Sequence, residues 1–228
     1  MKPILDTYKK NFFPKWWNDE KYKWESVKCF QDNWNDRAND FADMLTRSFA
    51  QQYNLLAGSH SYPLNVIVNM FAKNEPEFTR EMFVALFDES IDVWERIKKF
   101  KSDSDALLKE YGTVNEKHHQ NENSITTYLW FRYPDKYYIY KFSYVKKVGE
   151  VLNFNYKFKI GKYEDNIKNF YKLYDEICVE LKKETEIVDM VKSRLTKNCY
   201  PDPKLKTLTQ DVGFFIFRNY DKLKILTN

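Results

Sequence analysis

Residues 23–34 read KWESVKCFQDNW, and their spacing decides the fold class. Trp24, Val27, Phe30 and Trp34 follow one another at intervals of three, three and four residues. Because an α-helix turns once in ~3.6 residues, side chains at these intervals share one face and can pack against a core. Similar periods recur along most of the chain. We therefore predict a mainly α fold.

Segments further along the chain differ in how clearly they specify a helix. Residues 164–183 place Ile167 and Phe170 on one face at helical spacing, which predicts a long helix. Residues 207–218 are rich in apolar side chains, and their pattern fits a helix or a strand equally well. The sequence AGSHSYP at 57–63 breaks the helical pattern and predicts a loop.

Two short segments near residues 137–160 alternate instead of following the helical period. Tyr138, Tyr140 and Phe142 fall on one face of an extended chain, and FNYKFKI at 154–160 alternates in the same way. Period-two alternation is typical of a half-buried strand. We therefore expect an α+β variant of the mainly α class, in which a helical domain carries a small β element near residues 137–160.

The composition is that of a folded protein in a reducing compartment. Aromatic residues make up 18% of the chain and hydrophobic residues 43%, which excludes a disordered chain. The five glycines disfavour glycine-rich phosphate loops and dinucleotide-binding folds. The three cysteines have no short spacing and do not suggest a disulfide framework. Since the sequence contains no signal peptide and no apolar run long enough to span a bilayer, we expect a cytoplasmic protein without a membrane partner.

The length of 228 residues suits a single recognition domain, 1–228. A polar loop at 112–123 also allows two lobes, a helical lobe at 1–117 and a mixed α/β basic lobe at 118–228. The charge is also distributed unevenly, with a basic excess in the second of these lobes. Residues 132–172 hold ten Lys and Arg against four Asp and Glu, a net charge of +6. A local excess of this kind indicates an anionic partner.

Most catalytic motifs are absent from the sequence. It has no Walker A loop, no clustered Cys and His for zinc, and no nucleophile motif. His118 and His119 are expected to be a solvated loop pair. The run 180–182, Glu-Leu-Lys, with Asp175 upstream, has the spacing of a metal-dependent nuclease, but its period is helical rather than that of adjacent strands. We therefore predict no catalytic residue, no metal and no cofactor, with a nuclease as a minor alternative.

The stretch YLWFRYPDKYYIYKF at 128–142 sets rings beside cations. Lys and Arg neutralise phosphates, and rings can stack on an unpaired or extruded base. The predicted phosphate contacts are Arg132, Lys136, Lys141, Lys146, Lys147, Lys157 and Lys159. The predicted walls of a base pocket are Trp130, Tyr133, Tyr137, Tyr138 and Tyr140. The alternative is structural, with Tyr138 and Tyr140 packed into the core.

Four blocks carry a likeness to a known family: EKYKWESVKCFQDNW (20–34), HHQNENSITTYLWFRYPDKYYIYK (118–141), YKLYDEIC (171–178) and CYPDPKLKTLTQDVGFFIFR (199–218). They resemble the N-terminal region of bacterial McrB-like AAA+ proteins, the GTPase motor subunits of type IV, modification-dependent restriction systems. The resemblance implies a DNA-recognition module for double-stranded DNA, in several relatives with modified cytosine. It also implies two partners, an AAA+ motor domain and a nuclease subunit. Because the chain has no Walker A or Walker B element, GTPase activity is not implied for it.

A function of a different class remains open from the sequence. The chain could be a protein-interaction module of an anti-phage defence system, which docks a partner or senses a phage protein. Residues 61–120, with eight Lys and Arg against eleven Asp and Glu, and the pair Trp16-Trp17 would then form the contact surface.

Overall fold

A computed structural model of the chain describes residues 1–52, 55–56 and 62–227. The predicted loop at 57–63 lies outside them except for its last two residues. The mainly α prediction is confirmed, because the described residues fold into helices joined by turns and irregular segments. The α-helices are α1 (Lys2–Asn11), α2 (Trp17–Glu20), α3 (Tyr22–Asn33), α4 (Phe41–Ser48), α5 (Pro76–Phe87), α6 (Val93–Tyr111), α7 (Glu122–Arg132), α8 (Phe142–Val151), α9 (Tyr163–Lys183), α10 (Thr185–Lys192), α11 (Lys206–Arg218) and α12 (Tyr220–Thr227). Two π-helical segments, Phe12–Trp16 and Asn65–Ala72, adjoin them.

The chain divides into two compact units. The middle unit is Ser26–Arg132, and the terminal unit combines Met1–Glu25 with Tyr133–Asn228. The division that we predicted at 117/118 is thus replaced by one that keeps residues 118–132 in the middle unit. A single recognition domain stays a prediction.

Helix α7 is the centre of the middle unit. Its residues from Ser124 to Phe131 are all buried, which leaves no exposed face along this stretch. The Phe131 ring stacks on Phe30 with a centroid distance of 5.4 Å, and the Tyr128 ring meets Phe83 edge-on at 5.3 Å. Such ring pairs add specific geometry to the burial of apolar area. Residues 118–132 therefore belong with the middle unit because their rings complete its core.

The predicted β element near residues 137–160 is wrong, since no strand forms anywhere in the part of the chain that the structure describes. Buried side-chain amides take the place of a strand partner. The Ile139 N–H donates to Gln210 Oε1 at 2.8 Å. Asn166 accepts from the Lys159 N–H at 3.1 Å and donates to the Lys159 carbonyl at 2.7 Å. These three backbone groups are thus satisfied without a neighbouring strand.

Helix α11 is the centre of the terminal unit and contacts α1, α8, α9 and α12. Every residue from Thr207 to Gly213 is buried. Gly213 lies where the Tyr174 ring of α9 crosses the helix, and a Cβ at this position would come within 2.6 Å of Tyr174 Cζ. Glycine is therefore required for the close approach of α9 to α11.

The N-terminus of α11 is capped by a buried carboxylate. Asp202 accepts hydrogen bonds from the Thr207 N–H at 3.1 Å and from the Leu208 N–H at 2.8 Å. Burial raises the pKa of Asp202 to about 7, although these two hydrogen bonds favour the charged form. The negative charge of the nearby Asp135 acts in the same direction as burial. The cap is thus a titratable group near neutral pH.

We predict that Gly213→Ala destabilises the protein by ~1–3 kcal/mol, the usual cost of overpacking a core, because the added methyl group collides with Tyr174. Without this collision the substitution would stabilise the helix, because alanine is the better helix former by about 1 kcal/mol. The sign of the change in unfolding free energy therefore shows whether the collision occurs. Urea unfolding followed by circular dichroism measures it. The matched control is Gly149→Ala in α8, where the nearest atom, Phe158 Cε2, would lie 3.1 Å away. A Gly213→Ala protein as stable as the control would contradict this packing.

We predict that the free energy of unfolding falls as the pH rises from about 4 to about 7 because of Asp202. In this window the folded state retains a proton that the unfolded state, with the ordinary pKa of 3.8, has lost. Asp202→Asn should flatten this part of the pH profile, whereas Asp189→Asn, at an exposed carboxyl group, should leave it unchanged. Urea titrations at several pH values measure the difference. Parallel profiles for wild type and Asp202→Asn would refute the assignment.

Candidate nucleic-acid interface

The structure buries four of the five rings predicted to line a base pocket. Trp130, Tyr137, Tyr138 and Tyr140 are each at most 4% exposed, and Tyr133 is half-buried. Tyr138 packs edge-on against Tyr174 at 5.3 Å, and Tyr140 meets Phe170 edge-on at 5.5 Å. These rings fill the core under α9 and offer no open face to a base. The base-pocket prediction is therefore corrected for these four rings, in favour of the structural alternative.

The predicted phosphate contacts are mostly at the surface. Lys136, Lys141, Lys146, Lys157 and Lys159 are exposed, Lys147 and Arg132 are half-buried, and all but Arg132 belong to the terminal unit. Within the described residues, no ion pair reaches Lys146, Lys157 or Lys159. These three ammonium groups are therefore available to an anionic partner.

A row of half-buried rings, which the sequence did not reveal, lies in the terminal unit. We call it the aromatic patch; its members are Trp16, Tyr144, Phe214, Phe217 and Tyr220. Centroid distances of 6.0, 5.5 and 3.7 Å join the first four rings in the order Trp16, Phe214, Tyr144, Phe217. The Lys147 ammonium connects Phe217 to the fifth ring, Tyr220; it lies 5.2 Å from the Phe217 centroid and 4.8 Å from that of Tyr220. The patch is continuous across α8, α11 and α12.

Cations lie against the rings of the aromatic patch. Lys141 lies 4.4 Å from the Tyr144 centroid, and Arg218 lies 5.4 Å from that of Phe214. Lys224 donates to Tyr220 Oη at 2.8 Å, and this hydroxyl donates in turn to Glu150 at 2.6 Å. Lys147 is the fourth of these cations, and Glu150 is the carboxylate hydrogen-bonded beside them. The patch therefore combines ring surface with an excess of positive charge.

A buried charged cluster lies beneath the aromatic patch. The Lys23 ammonium donates to Asp211 and, at 2.7 Å, to Glu20. The other oxygen of Asp211 accepts from Tyr8 Oη at 2.6 Å and from Trp16 Nε1 at 2.9 Å. Lys23, Glu20, Asp211 and Tyr8 are all buried. The cluster thus attaches Met1–Glu25 to α11.

The charges of this cluster depend on one another. Burial raises the pKa of Glu20, although the Lys23 ammonium opposes the shift. Burial disfavours the charged form of Lys23, but Asp211, Tyr22 and Glu20 together outweigh burial and hold the pKa of Lys23 above its usual value. The same ammonium lies 4.5 Å from the Phe214 centroid, under the aromatic patch. A charged Lys23 therefore supports Phe214 from below while Trp16 is held at its side.

The sequence did not reveal the aromatic patch because residues 207–218 fitted a helix or a strand. Once this segment is a helix, Asp211, Phe214 and Phe217 fall at intervals of three residues on neighbouring turns. The signal that could have found the site is an acidic residue one turn before two rings and Arg218. Because three residues fall short of the ~3.6 residues of a full turn, the series passes from the buried Asp211 round the helix to the half-buried Phe214 and Phe217.

The pair His118-His119 lies in the middle unit, where hydrogen bonds hold the His118 ring in place. His118 accepts from the Gln120 N–H through Nδ1 at 2.8 Å and donates through Nε2 to Asp105 at 3.1 Å. Burial lowers the pKa of His118. Both of its ring nitrogens are therefore occupied, and both histidines are half-buried rather than fully solvated. Over the described ranges, no group of three or more His, Cys, Asp or Glu side chains could hold a metal ion.

Comparisons with models of known protein families, with curated proteins and with solved structures gave no match. The likeness to McrB-like N-terminal regions therefore stays a prediction from the sequence blocks. In the described part of the chain, no helix combines the length and the apolar character needed to cross a membrane.

We predict that Asp211→Ala destabilises the protein by ~3–5 kcal/mol, because it leaves the Lys23 ammonium buried without its main counter-charge. Denaturant unfolding measures the loss. Glu180→Ala is the control, since it removes the partner of Lys183 in an ion pair at the surface, where such pairs contribute less than ~1 kcal/mol. If the two substitutions cost the same, Asp211 does not hold the cluster together.

Proposed function

We propose that this chain is a DNA-binding specificity domain of a McrB-like, modification-dependent restriction system. It binds double-stranded DNA, in such a system DNA with modified cytosine, through the basic and aromatic surface of the terminal unit. It acts in the cytoplasm with an AAA+ motor domain and a nuclease subunit. The observation that carries the proposal is the aromatic patch with its four cations.

Phosphate binding is the first requirement of such a domain. A cation that neutralises a phosphate releases condensed counterions, which makes the affinity depend on salt and not on sequence. Lys146 and Lys147 are neighbours on α8, and Lys147 is also one of the four cations that lie against the aromatic patch. Lys157 and Lys159 follow, and both side chains are exposed. These lysines supply the electrostatic part of the binding.

The family resemblance supports the same part of the molecule. The block at 199–218 includes all of α11, which contributes Phe214, Phe217 and Arg218 to the surface and Asp211 to the cluster below. The motor and nuclease partners follow from the resemblance alone. They belong to the proposal as expected neighbours of this domain in its system.

A protein-interaction module is the second candidate, and exposed apolar side chains of the middle unit favour it. Val84 is 48% exposed and Ile91 is 46% exposed, within the acidic stretch 61–120. The pair Trp16-Trp17 does not add to this surface, because Trp17 is buried and Trp16 belongs to the aromatic patch of the terminal unit. Retention of a protein partner from phage-infected cells, without retained DNA, would favour this candidate.

We predict that Lys146→Glu with Lys147→Glu weakens binding to all duplexes alike, because phosphate contacts carry no sequence information. Fluorescence anisotropy titrations of modified and unmodified duplexes over a range of salt concentrations measure the effect. The slope of log affinity against log salt should fall by about 1 for each lost phosphate contact.

The matched control carries the same charge change at two exposed lysines elsewhere in the terminal unit, Lys192→Glu with Lys197→Glu. It should bind almost as wild type. Wild-type protein that binds neither duplex at low salt, or binds without a salt slope, would overturn the proposed function. Equal losses in the two double variants would show that net charge matters and that α8 does not.

A further inference from the structure

We infer that the aromatic patch binds an unpaired stretch of DNA strand, with bases stacked on its rings, so that DNA with unpaired bases is preferred to perfect duplex. This inference rests on the proposed function and names the form of DNA that the site takes. The occupant differs from the one predicted at residues 128–142, because it is a strand laid across a surface instead of a single base enclosed in a pocket.

The first argument is the shape of the aromatic patch. Its rings form a row in which each ring is half-buried and so keeps part of its surface open. The two central rings, Tyr144 and Phe217, are stacked at 3.7 Å with planes only 19° apart. This separation is close to the ~3.4 Å rise of each DNA strand per nucleotide. A base added to the pair continues a stack that already has suitable spacing.

The second argument is the position of two lysines at the ends of this stack. The inner faces of Tyr144 and Phe217 are filled by each other, so Lys141 and Lys147 lie over the outer faces. Both ammonium groups are carried on long side chains, and that of Lys141 is exposed. A base can take the place of such a side chain on the ring, while the displaced ammonium reaches the phosphate of the same nucleotide.

The third argument is that the rings of this surface suit unpaired bases better than paired ones. In a duplex the faces of the bases are covered by their neighbours, and only their edges can be contacted in the grooves. Edge recognition needs hydrogen-bonding groups, but the hydroxyl group of Tyr220 is bonded to Glu150 and Lys224, and that of Tyr144 accepts from Lys141 at 3.4 Å. Ring faces and cations suit unpaired bases, because every base has a face to stack.

The fourth argument is rigidity. Phe214 is one turn along α11 from the buried Asp211. The Lys23 ammonium and the Arg218 guanidinium both lie against its ring. Trp16 is held by its hydrogen bond to the same carboxylate. Rings that are already fixed lose little conformational freedom when a strand binds. The patch is therefore preorganised for stacking.

The experiment compares two DNA molecules of equal length and charge, a perfect duplex and the same duplex with a central bubble of unpaired thymines. Anisotropy titrations with the full chain measure both affinities at several salt concentrations. Stacking on aromatic side chains changes affinity by about tenfold per base. We therefore expect the bubble to bind at least about tenfold more tightly than the perfect duplex.

Ring variants test whether this preference belongs to the patch. Tyr144→Leu and Phe217→Leu should each reduce the preference for the bubble while leaving the salt slope unchanged, since a ring releases no counterions. Tyr144→Phe should retain the preference. The matched control is Phe154→Leu, which removes another half-buried ring of the terminal unit and should bind as wild type.

The possible results separate the two proposals. If wild-type protein binds bubble and duplex equally well with a salt slope, the unpaired-strand inference is wrong and the proposed function stands. Binding to neither DNA overturns both. A preference that Phe154→Leu reduces as much as Phe217→Leu would place the strand elsewhere and overturn the assignment to the patch. The wild-type comparison needs no variant. The inference can therefore still be refuted if a Leu variant fails to fold.

Discussion

The carboxylate of Asp211 is the contact on which the rest of the terminal unit depends. It is buried in α11 and accepts hydrogen bonds from Lys23, Tyr8 and Trp16, which lie on α3, on α1 and in the π-helical segment between α1 and α2. A buried ammonium group is tolerated only with such a counter-charge and well-placed hydrogen bonds. The first helices are thereby fixed to α11, and the outer face of α11 is fixed with them.

Much of the helical architecture could be predicted from the sequence, because long amphipathic periods survive in the fold. The helix predicted at 164–183 is α9, at Tyr163–Lys183. The β element could not be predicted correctly, since alternation of rings in the segment around Tyr138 describes a buried extended chain whether or not it pairs with another strand. The side-chain amides of Gln210 and Asn166 bind backbone groups in these segments instead. Gln210 is distant in sequence from Ile139, and Asn166 follows Lys159 by seven residues.

The candidate site was harder to predict than the fold. The cations Lys141, Lys146 and Lys147 could be named from local charge, and the structure places all three at or near the surface. The rings could not, because burial depends on which helices pack over them, and α9 covers the very tyrosines that looked most suitable. The rings of the aromatic patch are on α8, α11 and α12 and in the π-helical segment Phe12–Trp16. Their common face exists only after the chain has folded.

The buried amide of Asn166 has a consequence for the ageing of the protein. It holds both backbone groups of Lys159 in a ring-rich segment whose residues otherwise favour strands. Deamidation to aspartate would replace the donor that faces the Lys159 carbonyl with a second acceptor. The Lys159 carbonyl would then lack a donor, as a carbonyl does on the unprotected edge of a sheet, which invites pairing between molecules. The intact side-chain amide of Asn166 therefore helps to protect this segment from pairing between molecules.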